Sequence, residues 1–462
     1  MKTGTVSIPM RSPQAAGRLT RPARLALLAT LASALGLAVP AHAANGEFNA
    51  TTGAASVVGT AAINNFYAAR RNAPIWLAAG QSAPAERLMA LLATSDLDGV
   101  DPQQFDLGML EQAVRRAGSG DRAAIAQADR QLSEAFLRYV NTVRRSDGGE
   151  WQIVDREAAP SAPPVADLLR DAAATGSLDT FLETMPWMHG NYAGLRRSLA
   201  AATARGDGAA AGRLRLNLER TRMLPAGHER YVLVNTASQR LEMWERGRVV
   251  DTMRVVVGKP DQPTPMLAAL IRYTAVNPYW NLPPDLVAER VAPNVVKDGL
   301  GYLKTKGYVV LSDWTQDATV VDPTTIDWRA VAAGTIKLRV RQNPGSTNAM
   351  GRMKFMFPNQ AGVYLHDTPN KELLNNEARL FSAGCVRLED APRLANWLYG
   401  RPLSVTKGDL PEQHVDLPQP VPVYLAYLTA VPSGDEVVFY DDIYGRDEKR
   451  MAASGSAKVA AR

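Results

Sequence analysis

Cysteine is almost missing from this sequence: 462 residues contain one, Cys385, so no disulfide can form within the chain. Long apolar runs are as scarce. The one at Leu25 to Val39 is short for a membrane span, which takes about 20 residues. It follows Lys2, Arg11, Arg18, Arg21 and Arg24 with no acidic residue among them, and precedes Ala41-His42-Ala43. That order reads as a secretory signal over 1–43, cleaved before Ala44 to leave a soluble exported protein with no stable membrane span. A surplus of one charge sign is also lacking. The formal charge is +6, from 52 basic and 46 acidic residues, but the five leading cations go with the signal, leaving 47 against 46. With the signal gone, so is the net-charge argument for nucleic-acid binding, and no nucleic-acid partner is expected. No cluster has the spacing of a zinc site. The acidic run Asp96 to Asp101 places Gly99 fourth and Leu107 twelfth, where a calcium loop needs Gly sixth and Glu twelfth, so it reads as a plain acidic turn. Gly258-Lys259-Pro260 lacks the frame of a phosphate loop.

The remainder is globular: 46% apolar and 21% charged, with length for about three domains. Residues 44–60 are small and polar and read as a flexible leader. From 61 to about 227 the apolar spacing is helical; Ile125, Leu132, Phe136, Val140 and Val143 form one stripe behind Asp121, a natural N-cap. Ala200 to Gly212 reads as a loop or weak helix. After Pro225 the period turns to alternation, with strands at Tyr231 to Asn235, Leu241 to Trp244, Val249 to Val257, Ile336 to Arg341 and Val363 to His366. A late hairpin is expected from Val423 to Val431 and Val437 to Tyr440, and a disordered tail over 446–462.

A lone thiol in an exported chain is either a buried small hydrophobe or a reactive group. Here it sits in Ser382-Ala383-Gly384-Cys385-Val386-Arg387. Gly384 leaves room for approach to the sulfur and for backbone N–H donors, and Arg387 favours thiolate and can grip a carboxylate in two-pronged fashion. His366, closing a β pattern, is the first choice for an imidazole partner: His42 leaves with the signal, His189 lies in the helical half, His228 in a linker, and His414 in a loop. Pairing with His can draw a thiol down to about 3.5 to 7.5, which predicts an ion pair serving as nucleophile and acid/base. The inert alternative, a turn-capping histidine and a gap-filling cysteine, stays open on residue chemistry alone.

His366 followed nineteen positions later by Cys385 within Ser-Ala-Gly-Cys-Val-Arg resembles the signature of YkuD-type L,D-transpeptidases. Val255 to Pro260 with Thr264-Pro265, Asn277 to Pro284, Lys354 to Asn359, Tyr364 to Pro369 and Asp441 to Gly445 resemble their larger, lid-bearing (YcbB-like) branch. The resemblance implies an α+β chain: an α-helical scaffold domain at 61–227, then a β-rich catalytic domain at 228–445 with a lid insertion at about 284–335; the peptidoglycan-binding module of larger relatives is a departure, reduced or absent here. It implies a periplasmic enzyme that needs no metal or cofactor and acts on peptidoglycan stem peptides. Cys385 would take the acyl group of a donor tetrapeptide as a thioester and pass it to an acceptor amine, on another stem or a lipoprotein, making 3-3 cross-links. It further implies His366 as proton carrier, Gly384 and Cys385 N–H groups as oxyanion hole, Tyr364, Ser382 and Arg387 as donor site and Trp280 as lid wall; Trp314 reads as lid core. A cysteine carboxypeptidase or endopeptidase on the same stems, and a non-catalytic wall-binding scaffold, are the alternatives.

Overall fold

The computed structural model describes residues 48–78, 81–145, 149–226, 229–403 and 410–460; the expected signal and His228 lie outside them. Among the described residues, no helix is long and apolar enough to cross a membrane. Ala55–Arg462 forms one unit.

Its first half is helical because the apolar stripes have one another to cover. The helix Arg122–Arg144 starts where Asp121 accepts from the Ala124 N–H, and its buried face, Leu132, Phe136 and Val140, packs on Trp76, Leu88 and Trp187. Burying polar groups here requires partners. Asp129, fully buried, accepts from the Ile75, Trp76 and Leu77 N–H groups at 2.8, 2.7 and 3.0 Å and from Tyr67 at 2.6 Å. Asp98 corrects the plain-turn reading of its segment. Gly99 adopts the left-handed φ of 66° that ends the turn, and the buried Asp98 carboxylate takes the Arg196 guanidinium at 2.9 Å and the Tyr139 and Tyr192 hydroxyls at 2.8 and 2.9 Å.

The second half is a closed sheet. Leu267–Val276 pairs with Gln413–Ala426, and the order continues through Tyr231–Asn235, Arg240–Glu245, Arg248–Gly258, Val386–Leu388, Leu365–His366 and Met353–Met356, which returns to Leu267–Val276. Closure leaves that circuit without an open edge. Alternate residues fill its interior, among them Val232, Val255, Ile271, Phe355, Leu365, Val386 and Val423, all fully buried. Between Val276 and Met353 an insertion builds a three-stranded sheet, Trp280–Leu282, Arg339–Gln342 and Tyr308–Leu311, around its own small core of Leu282, Val287, Val291 and Val340.

Several expectations change. Phe48–Ala69 is one helix, so most of the supposed leader is helical, and Ala200 to Gly212 divides between two helices, Asn191–Ala204 and Gly208–Thr221. The strand expected at Ile336 to Arg341 instead begins at Arg339 and runs to Gln342. Val423 to Ala426 belongs to the barrel, and the late hairpin is Ala430–Ser433 with Glu436–Phe439. His414 lies on a strand, its ring 4.7 Å from that of Tyr273. The tail is helical over Arg446–Ala460, because Asp447 at its start is buried in an ion pair with Arg220 at 2.5 Å. Trp314 is 60% exposed beneath the Arg339 guanidinium rather than packed in the insertion's core.

Candidate active site

Strand register brings the sequence-predicted residues together. Leu365–His366 runs parallel to Val386–Leu388, with His366 opposite Arg387, and antiparallel to Met353–Met356, with His366 opposite Lys354. Side chains alternate along strands. Leu365, Val386 and Phe355 therefore fill the barrel and His366, Arg387 and Lys354 share the other face; by the same alternation Tyr364 and Cys385, each just before its strand, lie on that side while also touching the barrel core. The Val386 N–H donates to the Tyr364 carbonyl at 3.0 Å, fixing the level at which Tyr364 and Cys385 adjoin.

The turn before the thiol is held by groups that the motif does not reveal. Gly384 has φ of 105°, a region costly for any residue with a Cβ. The Thr264 hydroxyl, fully buried, donates to the Gly384 carbonyl at 2.8 Å and accepts from the Gly258 N–H at 2.9 Å. Gly258 can carry no side chain, since a Cβ would lie 2.2 Å from the Gln262 carbonyl oxygen. Tyr444 closes the same loop by donating to the Gly258 carbonyl at 2.9 Å. Pinning the Gly384 carbonyl fixes its peptide plane and turns the Cys385 N–H to the opposite side. Of the two N–H groups expected to form an oxyanion hole, that of Gly384 already donates to the Ser382 hydroxyl at 3.1 Å. Ser382 in turn donates to the Cys385 carbonyl at 2.5 Å, so it braces the turn. Thr264→Val is expected to lower turnover about 10- to 100-fold, by letting the Cys385 N–H drift, with little change in KM; steady-state kinetics measure the split.

Cys385 is half-buried, its Sγ 3.8 Å from the Gly362 carbonyl oxygen. Burial pushes the thiol up to about 11 against the downward pull of a Tyr364 backbone hydrogen bond, Arg387 and Lys354. His366 is 2% exposed. Burial and the cations Arg387 and Lys354 draw it down to about 3, against the pull of Asp367. The expected thiolate–imidazolium pair is thus replaced at rest by two neutral groups, because a covered face beside cations penalises imidazolium. His366 Nδ1 lies 2.5 Å from the Asp367 carbonyl oxygen, which can only accept, so Nδ1 carries the proton and Nε2 is free as a base. Arg290 of the insertion adds a third cation, one that acts on Arg387. Arg387 and Lys354 on one face, with Arg290 of the insertion within reach of Arg387, suit a substrate carrying carboxylates. Trp280 is partly buried against the insertion's core. Among the described residues, no group of His, Cys, Asp and Glu is arranged to hold a metal ion.

Residues 229–425 match the YkuD family, described as the L,D-transpeptidase catalytic domain, and residues 61–199 match the Scaffold domain. A Haemophilus influenzae protein named "Putative L,D-transpeptidase" is 28% identical over 395 residues, covering 83% of this chain and 77% of the relative. Among solved structures, an L,D-transpeptidase from Mycobacterium smegmatis is 16% identical, covering 44% of this chain and 60% of that one, at a TM-score of 0.21. An LD transpeptidase in complex with imipenem is 13% identical, covering 44% and 61%, also at 0.21. This chain thus spans less than two thirds of those solved chains, and at such scores the likeness adds nothing to the fold described above.

Proposed function

We propose that this chain, which carries a catalytic domain of the YkuD L,D-transpeptidase family behind a Scaffold domain, joins peptidoglycan stem peptides by 3-3 cross-links in the periplasm. The observation that carries the reading is the register that sets Cys385 and His366 on one face of adjoining strands, among Lys354, Arg387 and Arg290. The donor tetrapeptide lies with its carboxylates toward those cations. As Cys385 Sγ attacks the carbonyl of the third residue, its proton passes to His366 Nε2 and the Cys385 N–H takes the developing oxyanion. The tetrahedral intermediate collapses to a thioester; the C–N bond to the terminal D-Ala breaks and His366 returns the proton to the leaving amine. An acceptor amine then loses a proton to Nε2 and attacks the thioester, and the thiol is restored as the new amide forms. Gly384 allows the turn, Ser382 braces it, Tyr364 and Arg387 shape the donor site, and the insertion carrying Trp280 and Arg290 covers it.

Incubating the protein with a disaccharide tetrapeptide and weighing the products tests this. A dimer lighter than two monomers by one D-Ala is expected. Trimmed monomer alone would reassign the protein as a hydrolase on the same stems, with water as acceptor. No product of either kind, and no adduct with a carbapenem, would leave a wall-binding scaffold.

A further inference from the structure

Lys354 lies outside every role given so far except that of a nearby charge. It sits between Met353 and Phe355, which point into the barrel, and directly opposite His366. Its side chain is almost wholly covered, at 11% exposure. A lysine so placed needs a partner and a reason. The partner is Glu412, whose Oε1 lies 3.5 Å from Nζ. Glu412 is itself fastened to the base of the insertion: its Oε2 accepts from the Tyr279 N–H at 2.5 Å and its own N–H donates to the Asn277 carbonyl at 2.9 Å. Nζ also stands over the Tyr364 ring, 5.3 Å from its centroid, a cation–π contact. The chain of contacts therefore runs Glu412, Lys354, Tyr364, and reaches Cys385 where the two strands adjoin.

We propose that Lys354 is a positioning residue for the nucleophile: it holds the Tyr364 ring beside Cys385 and, with Arg387, supplies the positive potential there. This rests on Cys385 being the nucleophile. The charged and titratable groups around the thiol are Tyr364 and His366 on the neighbouring strand, Arg387 on its own and Lys354 one strand further; Arg290 on the insertion acts on Arg387. Around Lys354 they are Glu412, with His414 3.8 Å from it, and Tyr273, which the Glu412 charge also reaches. Asp367 accepts from Lys371 at 2.7 Å, so its charge is already matched. Lys354 is thus the cation on the Tyr364 side of the sulfur, and Glu412 is the anion that offsets it.

The test is the rate of Cys385 alkylation by iodoacetamide, a neutral reagent, on the full chain between pH 7 and 10. The sulfur is the sole thiol, so the adduct mass identifies the site. Lys354→Met should react about tenfold more slowly at each pH, the effect of about one pKa unit. Lys354→Arg should lie within about twofold of the parent, and Glu412→Gln, which keeps an oxygen for the Tyr279 N–H, should react about threefold faster. A merely structural pair would slow the reaction in both directions. Unchanged rates in Lys354→Met overturn the proposal. If that variant does not fold, Glu412→Gln decides, and an equal or slower rate overturns it. Parent protein inert to iodoacetamide across the whole range would instead sink the nucleophile itself.

Discussion

Cys385→Ala should lower cross-link formation by at least about 10⁴-fold, below detection, because losing a nucleophile removes the covalent route altogether. Nothing nearby replaces it. The chain has no second thiol, and the Ser382 hydroxyl, in the same turn, is committed to the Cys385 carbonyl and the Gly384 N–H. Exchanging a half-buried sulfur for hydrogen costs about 1 kcal/mol of packing, so the variant should stay folded. Two measurements check the result at equal expression. The muropeptide profile of cells carrying the variant should lose its 3-3 dimers. Intact mass after exposure to a carbapenem should show one adduct on the parent and none on Cys385→Ala. Dimers at parental abundance in the variant would defeat the assignment.

The site was legible where strand alternation and motif coincide. The motif and the β pattern before it named Tyr364, His366, Cys385 and Arg387, but their meeting on one face depends on the strand register, Leu365 beside Val386 and His366 beside Arg387. What escaped were contacts made by the backbone or across long sequence distance. The group orienting His366 is the carbonyl of the next residue, which any amino acid would supply. Thr264 belongs to a stretch that the resemblance already covers, but its contact with Gly384 spans 120 positions and no local spacing discloses it. His414 was read as a loop residue because Pro418, Pro420 and Pro422 follow it. The strand Gln413–Ala426 tolerates Pro418 and Pro420 through a register shift between Asp416 and Val421, where lost ladder donors are absorbed, while Pro422 stays in register opposite Leu270. The ion pair was overestimated for a related reason: the sequence displays His, Cys and Arg but not how deeply they are covered, and burial is the largest influence on both His366 and Cys385.

That resting neutrality sets the second large effect. His366→Gln should slow acylation about 10²- to 10⁴-fold, the range for a positioned acid/base, and should change the shape of the pH profile. In the parent, a folded-state value near 3 keeps the imidazole unprotonated at every pH above about 4, so acylation should show no fall at the usual histidine value near 6.5. Proton transfer from sulfur to Nε2 then creates charge where there was none. It is helped by the attraction between the new thiolate and imidazolium and by the donor's carboxylates, which offset the Arg387 and Lys354 cations that penalise imidazolium at rest. In the variant that route is gone, and attack must wait for thiolate formed by solvent. With the thiol near 11, the thiolate fraction rises about tenfold per pH unit through neutrality. Carbapenem acylation, followed by mass from pH 5 to 9, should therefore be nearly flat for the parent and climb with a slope of about one for His366→Gln. A parental profile that drops below pH 6.5, or a variant with the parent's flat profile, would remove His366 as the neutral base.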